Sequence, residues 1–198
     1  LNNLTNRQKQ AINTKFKITE IALELFKSKG IKKVKIKDIC NKANVSIGTF
    51  YHYFDSKEKI LEKSYIQIDS MIAENIENIV YENNLDRILK LFNRANILIE
   101  DLGWRFVADA YTHLLTSEDR YSLCSKRYPY VLIKESLEKG IIAGEFLPNF
   151  NPEEVSEVCM RLGRGMVFDW CLHKGSYSLT SESEKSIITY LKTFQVKI

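Results

Sequence analysis

The stretch from Ile36 to Lys59, IKDICNKANVSIGTFYHYFDSKEK, constrains this chain more than any other. Ile36, Ile39, Cys40 and Ala43 recur at the three-to-four residue spacing that gathers apolar side chains on one helix face, leaving Lys37, Asp38, Asn41 and Lys42 outside. Asn44 tolerates the left-handed conformation of a sharp helix stop, and Val45 supplies an apolar plug. The hydroxyl of Ser46 is suited to cap a second helix, Ile47 to Phe54. That helix would make a poor core element: Phe50 and Phe54 anchor it, Gly48 permits close backbone approach, and Thr49, Tyr51, His52 and Tyr53 are of the types that reach phosphate oxygens or base edges in a DNA major groove. Lys57 is expected in the first turn of a following helix, where its charge and the helix's positive end both favour a phosphate. The geometry implied is helix-turn-helix.

The run Val45-Ser46-x-Gly48-Thr49-Phe50-Tyr51-x-Tyr53-Phe54-x-Ser56-Lys57-Glu58-x-Ile60, with Asp38-Ile39 and Ala43 upstream, resembles the DNA-binding domain of the TetR (tetracycline-repressor-like, TetR/AcrR) family of bacterial transcriptional regulators. Three positions depart from the family's usual pattern. Cys40 stands for a common alanine, Asn44 for a common glycine, and Lys35 for a threonine that caps the first helix of the motif. Lys35 gives up that side-chain cap but can meet a phosphate as a point charge. The resemblance implies an all-α fold, with a three-helix helix-turn-helix DNA-binding domain over residues 1–59 and a helical bundle for ligand binding and dimerisation over residues 60–198. It also implies a regulator, foremost a repressor, that binds a palindromic double-stranded DNA operator as a homodimer, is released by a small-molecule effector of unknown identity, and needs no cofactor.

Charge supports the division. Residues 1–59 carry thirteen Lys and Arg against five Asp and Glu, a net +8, whereas the remainder of the 198 residues is at −4. Such asymmetry is expected when one end meets a polyanion and the other does not. A composition of 44% hydrophobic and 27% charged residues fits globular domains with a real core. No apolar run approaches the roughly 18 residues that span a bilayer, LNNLTNRQKQ lacks a signal peptide's apolar centre, and Cys40, Cys124, Cys159 and Cys171 form no C-x-x-C pair. A cytoplasmic protein with reduced thiols and no membrane partner is expected.

Periodicity orders the rest. Residues 1–13 read as a mobile or partly helical arm, and Thr14 to Lys29 as a bracing helix stopped by Gly30. Asp55-x-x-Glu58 is a candidate capping box for a long coupling helix reaching about Tyr81, with Ile60, Leu61, Tyr65, Ile68, Ile72, Ile76 and Ile79 as its stripe. Leu85 to about Glu100 and Trp104 to Thr116 follow; the latter is apolar on most sides, hence expected to be buried, with Arg105, Asp109, Thr112 and His113 as polar exceptions. A helix is expected from about Pro129 to Lys139, then a loop over Gly140 to Phe146. Asn151-Pro152 opens a helix to about His173, and Ser181-x-x-Glu184 a final one.

The resemblance puts a small-molecule pocket between the helices of the second domain, with Trp104, Tyr111, His113, Phe168 and Trp170 as candidate walls. It pairs the last two helices with their copies in a second subunit, for which Val158, Leu162, Met166, Ile187, Leu191 and Phe194 are the candidate contacts. Two other classes compete: a helix-turn-helix protein without small-molecule control, and a helical enzyme using Cys171 and His173. No metal site is expected, because two ligands separated by one residue do not share a helix face.

Overall fold

The computed structural model describes residues 5–61, 69–70, 72–74, 76, 79–118 and 121–196. Thr5 and Gln8 open the first helix with a reciprocal cap: the Gln8 amide donates to the Thr5 hydroxyl at 3.3 Å, and the Thr5 amide to the Gln8 side-chain oxygen at 2.8 Å. Helix α1 is therefore Asn6–Lys29, and most of the expected arm is helical. Periodicity overlooked this because the added turns bury no stripe; capping chemistry sets their start. Farther on, Ile18, Ala22, Leu25 and Phe26 are buried, and Gly30, at φ 81, ends the helix.

After a single 3-10 turn, Ile31–Lys33, the chain forms α2 (Ile36–Ala43) and α3 (Ile47–Tyr53). Ile18, Phe26, Ile39, Ala43 and Phe50 have no exposed surface, and Ile60 and Leu61, just beyond residue 59, pack into the same core. The Asp55-x-x-Glu58 box does not form as expected. Residues 55–57 bend, helical geometry starts at 59, and the Lys59 amide donates to the Ser56 hydroxyl at 3.4 Å. The described positions 59–61, 69–70, 72–74 and 76 are helical, with Ile72 and Ile76 buried. Tyr65 and Ile68 of the expected stripe lie outside the described residues. Ile79 to Tyr81 are irregular, so this helix stops short of Tyr81.

The second body contains α4 (Asn84–Leu102), α5 (Trp104–Thr116), α6 (Tyr128–Ile142), α7 (Pro152–Leu172) and α8 (Leu179–Leu191). Asn151 caps α7 and Pro152 starts it, as expected. The last helix is capped by Ser178, whose hydroxyl accepts the Ser181 amide at 3.3 Å, rather than by the Ser181-x-x-Glu184 box. Gly140 to Ile142 finish α6 instead of forming a loop, and Phe146 then folds back over Gly140. A Cβ on Gly140 would lie 2.6 Å from that ring's Cε2, so a side chain there is excluded.

Helices α4, α6, α7 and α8 pack around one core, in which Ile88, Ile133, Leu137, Cys159, Ile187 and Leu191 are fully enclosed. Helix α5 lies against α4, α7 and α1. Its Phe106, Val107 and Ala110 join the core of the helix-turn-helix unit, while Leu115 is 79% exposed. The expectation that α5 is enclosed on most sides is thus corrected: one side packs and the other is open. Among the described residues no helix is long and apolar enough to cross a membrane.

Candidate DNA-reading face and interior cavity

The turn between α2 and α3 is built from three local devices. Asn44 takes up the left-handed conformation at φ 54, ψ 50 and ends α2. The Val45 amide returns to the Cys40 carbonyl at 3.0 Å. The Ser46 hydroxyl accepts the Thr49 amide at 3.0 Å and lies 2.8 Å from the Thr49 hydroxyl, fixing the start of α3. Lys35 stands at the N-cap of α2 with its side chain exposed, and its amide donates to Asp38 Oδ2 at 3.0 Å; this is the reciprocal half of a capping box, without the half in which an N-cap side chain accepts a first-turn amide.

Helix α3 is held from behind by Phe50 and Phe54, whose rings are 5.7 Å apart. The opposite side carries Ile47, Gly48, Tyr51 and His52, all exposed; Thr49 and Tyr53 are half-buried, and Tyr53 packs against the core. Tyr51 leans edge-on to Phe50, with centroids 5.6 Å apart. Helix α3 is thus seated on a packed base with Tyr51 and His52 turned outward.

Lys57 has another post. Because the following helix begins later than expected, the residue lies in the preceding turn, beneath the connection between α1 and α2. Its ammonium donates to the carbonyls of Ile31 at 2.6 Å and Val34 at 2.7 Å, and its side chain is only 18% exposed. The charge satisfies two main-chain acceptors. It ties the base of the helix-turn-helix together instead of facing outward from a helix's first turn.

Above this unit, α4 to α7 and the helical segment bearing Ile72 line a half-open cavity of about 160 Å³. Leu91, Phe92, Ile99, Phe106, Val107 and Met160 supply most of an apolar wall. Four polar residues interrupt it. Arg127 is neutralised by a buried pair with Asp69, Nε and Nη2 each donating to a carboxylate oxygen at 2.8 Å. Tyr111 donates to the Arg164 carbonyl at 3.3 Å, and Arg164 Nη1 to the Tyr130 hydroxyl at 2.9 Å. Asn96, 3% exposed, leaves its amide nitrogen with no hydrogen-bond partner among the described residues.

Of the five expected pocket residues, only Tyr111 lines this cavity. Phe168 is 48% exposed on the outer side of α7, since it falls opposite the buried Val167 and Trp170. Trp170 is core, donating its indole N–H to the Tyr177 carbonyl at 2.9 Å; Trp104 packs beside it over Gly175, and His113 lies outside the cavity wall. Periodicity marks aromatics as inward-facing without saying which interior they reach. Asn96 was missed, although a polar residue on the apolar stripe between Phe92 and Ile99 is a legible signal. Arg127 and Asp69 left none, because their pairing spans sequence-distant elements.

The expected dimer contacts also divide. Ile187 and Leu191 have no exposed surface and belong to this chain's own core, so they are unavailable to a partner. Met166 faces α8, accepting from the Ser186 hydroxyl at 3.6 Å, and Phe194 stacks into a cluster with Phe150 and Tyr190. Val158 and Leu162 are half-buried, and they continue through the open Gly165 to Phe168 and to Leu172, 64% exposed, along one face of α7.

Cys159 and Cys171 do not have the character of nucleophiles. Burial pushes Cys171 up to about 11 and Cys159 up to about 12, and Cys171 Sγ donates to the Trp104 carbonyl at 3.7 Å. His173 lies on the exposed end of α7 with Nδ1 3.3 Å from Asp169 Oδ2. Among the described residues no three His, Cys, Asp or Glu side chains gather as a metal site.

A short helix anchored by buried phenylalanines, capped through Ser46 and turned outward on a basic domain, defines a helix-turn-helix DNA-binding protein. Residues 18–63 match the family described as bacterial regulatory proteins, tetR family. Over its length the chain is similar to the probable acrEF/envCD operon repressor of Escherichia coli K12, at 21% identity covering 93% of this chain and 88% of that protein. In fold it is similar to a TetR-family transcriptional regulator from Pectobacterium atrosepticum, with a TM-score of 0.74, 18% identity, and coverage of 98% and 99% of the two chains. It is also similar to Thermus thermophilus FadR, a TetR-family transcriptional repressor solved in complex with lauroyl-CoA, with a TM-score of 0.67, 21% identity, and coverage of 93% and 96%. The family match thus covers the helix-turn-helix end of the chain, and the likeness over the rest is one of fold.

Proposed function

We propose that this protein is a dimeric transcriptional repressor that binds a palindromic operator through α3 and is released when a small molecule enters the cavity between α4 and α7. The observation that carries the reading is α3 itself: its anchors are enclosed, and Tyr51 and His52 stand clear of the protein at the exposed end of a +8 domain. Thr49, Tyr51, His52 and Tyr53 are the assigned base and phosphate contacts, with Lys35 a phosphate contact at the start of α2, and with Ser46 and Gly48 setting the approach. The outer face of α7, Val158 through Leu172, is the assigned dimer surface. A twofold pair presents two reading helices about 34 to 36 Å apart, one turn of DNA.

One contact supports coupling between cavity and reader. Helix α5 lines the cavity through Phe106, Val107, Ala110 and Tyr111, and on the same helix Asp109 Oδ2 accepts the Ile31 amide at 3.1 Å. Ile31 is also the residue whose carbonyl Lys57 holds. A ligand that favours a displaced α5 would pull on the α1–α2 connection, and so on α3. Such control needs different ligand affinities in the two arrangements.

The test is fluorescence anisotropy against DNA from upstream of the protein's own gene at several salt concentrations. Sequence-specific binding that Tyr51→Ala abolishes is expected. Weak binding equal to that of random DNA would reject the assignment of α3 as the reader.

A further inference from the structure

The helix-turn-helix unit turns one aliphatic side chain outward. From residue 31 to residue 61, Ile31, Val34, Ile39, Ile60 and Leu61 are buried, and Ile36 and Val45 pack against the same core. Ile47, in the first turn of α3, is instead 49% exposed. Tyr51, one turn further on and 53% exposed, shares its face. Gly48 keeps the approach open, since a Cβ there would meet only the Ser46 hydroxyl oxygen, at 3.7 Å. A β-branched residue in a helix has one strongly preferred χ1 rotamer, so the Ile47 methyl groups are held in place before any partner arrives.

Charge and chemistry together name the partner. Residues 1–59 carry a net +8, which suits a polyanion rather than an apolar protein surface. The Ile47 side chain has no donor or acceptor, and the apolar group that base pairs present in the major groove is the C5 methyl of thymine. We infer that Ile47 is a specificity determinant that packs on a thymine methyl, one in each half of the operator. This rests on the reading of α3 as the DNA reader and names a base that it reads. The preference it imposes is thymine over cytosine, which lacks the methyl and presents an amino donor that Ile47 cannot accept.

Operator duplexes selected from a random library by the full chain supply the test. Each thymine is replaced in turn by deoxyuridine, which removes one methyl group and leaves base pairing unchanged, and binding is followed by anisotropy. At one symmetric pair of positions, replacement in one half-site is expected to weaken wild-type binding about fourfold, the worth of one apolar carbon taken out of water. Ile47→Ala is expected to bind the thymine and uracil duplexes alike. Thr49→Ser, which removes a neighbouring methyl and keeps the hydroxyl that lies 2.8 Å from Ser46, is expected to retain the penalty. A penalty that persists in Ile47→Ala, or one that Thr49→Ser also removes, would overturn the inference. An enriched operator with no thymine sensitive to replacement rejects the thymine assignment and leaves α3 standing as the reader. Selection that enriches no sequence rejects α3 as the reader, and the inference falls with it.

Discussion

Replacing Lys57 with Met separates two accounts of the same residue. The substitution keeps the length of the stem and deletes the ammonium, removing the donations to Ile31 and Val34 at 2.6 and 2.7 Å and leaving the Ile31 carbonyl only the longer bond from the Val34 amide at 3.3 Å. Hydrogen bonds to a charged group contribute about 1.5–3 kcal/mol each. Part of this is offset because the ammonium no longer has to be desolvated, and because water can reach a site whose side chain is 18% exposed. A net loss of about 2 kcal/mol is expected, which for a chain of this length corresponds to a fall in melting temperature of about 4–8 °C. Thermal melts followed by circular dichroism, with Lys37→Met as an exposed control, measure it. Anisotropy below the melting range should then show an unchanged salt slope for the folded variant. A Lys57→Met protein that melts with the wild type, while its DNA affinity falls and its salt slope drops by about one, would refute the clamp and restore the phosphate contact.

Asp109→Ala removes the acceptor for the Ile31 amide and should leave specific DNA binding largely intact while weakening release by ligand; an unchanged ligand response in anisotropy would rule out this link. Gly163→Ala places a Cβ 2.8 Å from Phe92 Cε1, forcing the ring toward the cavity; a stability loss of about 1–2 kcal/mol in urea melts and weaker ligand binding are expected, and neither change would mean the helices have slack there. Burial pushes the Cys159 thiol from an ordinary 9.0 up to about 12, so the folded chain keeps a proton that the unfolded chain releases above pH 9. The stability this contributes is complete below pH 9 and is lost as pH rises toward 12. Urea melts at pH 8, 9.5 and 11 should show that decline, shallower in Cys159→Ala; equal slopes would contradict it.

The helix-turn-helix unit was legible in the sequence because each of its parts is local. Asn44, Ser46, Phe50 and Phe54 act on neighbours within a few residues, and a three-to-four residue spacing identifies the buried face without knowledge of what lies against it. Helix starts were less secure where two capping patterns adjoined. Thr5-x-x-Gln8 was overlooked for want of an apolar stripe, and Ser178 rather than Ser181 opens α8 because Leu179 is drawn fully into the core. The pocket was least legible. Trp104, Phe168 and Trp170 share the aromatic character of cavity residues but lie elsewhere, whereas the polar Asn96 is among the residues that line it.

The sequence alone determined that this chain is helical, that it carries a helix-turn-helix at residues 36 to 54, and that this end is the basic one, since periodicity, capping and charge are properties of neighbours along the chain. Tertiary structure decided that Lys57 clamps carbonyls, that Ile187 and Leu191 are enclosed within the chain rather than available to a partner, that Asp109 reaches Ile31, and that Asn96 is among the residues lining an apolar cavity. Those roles depend on distances between residues far apart in sequence. Such distances are set by how whole helices pack, which no local pattern encodes.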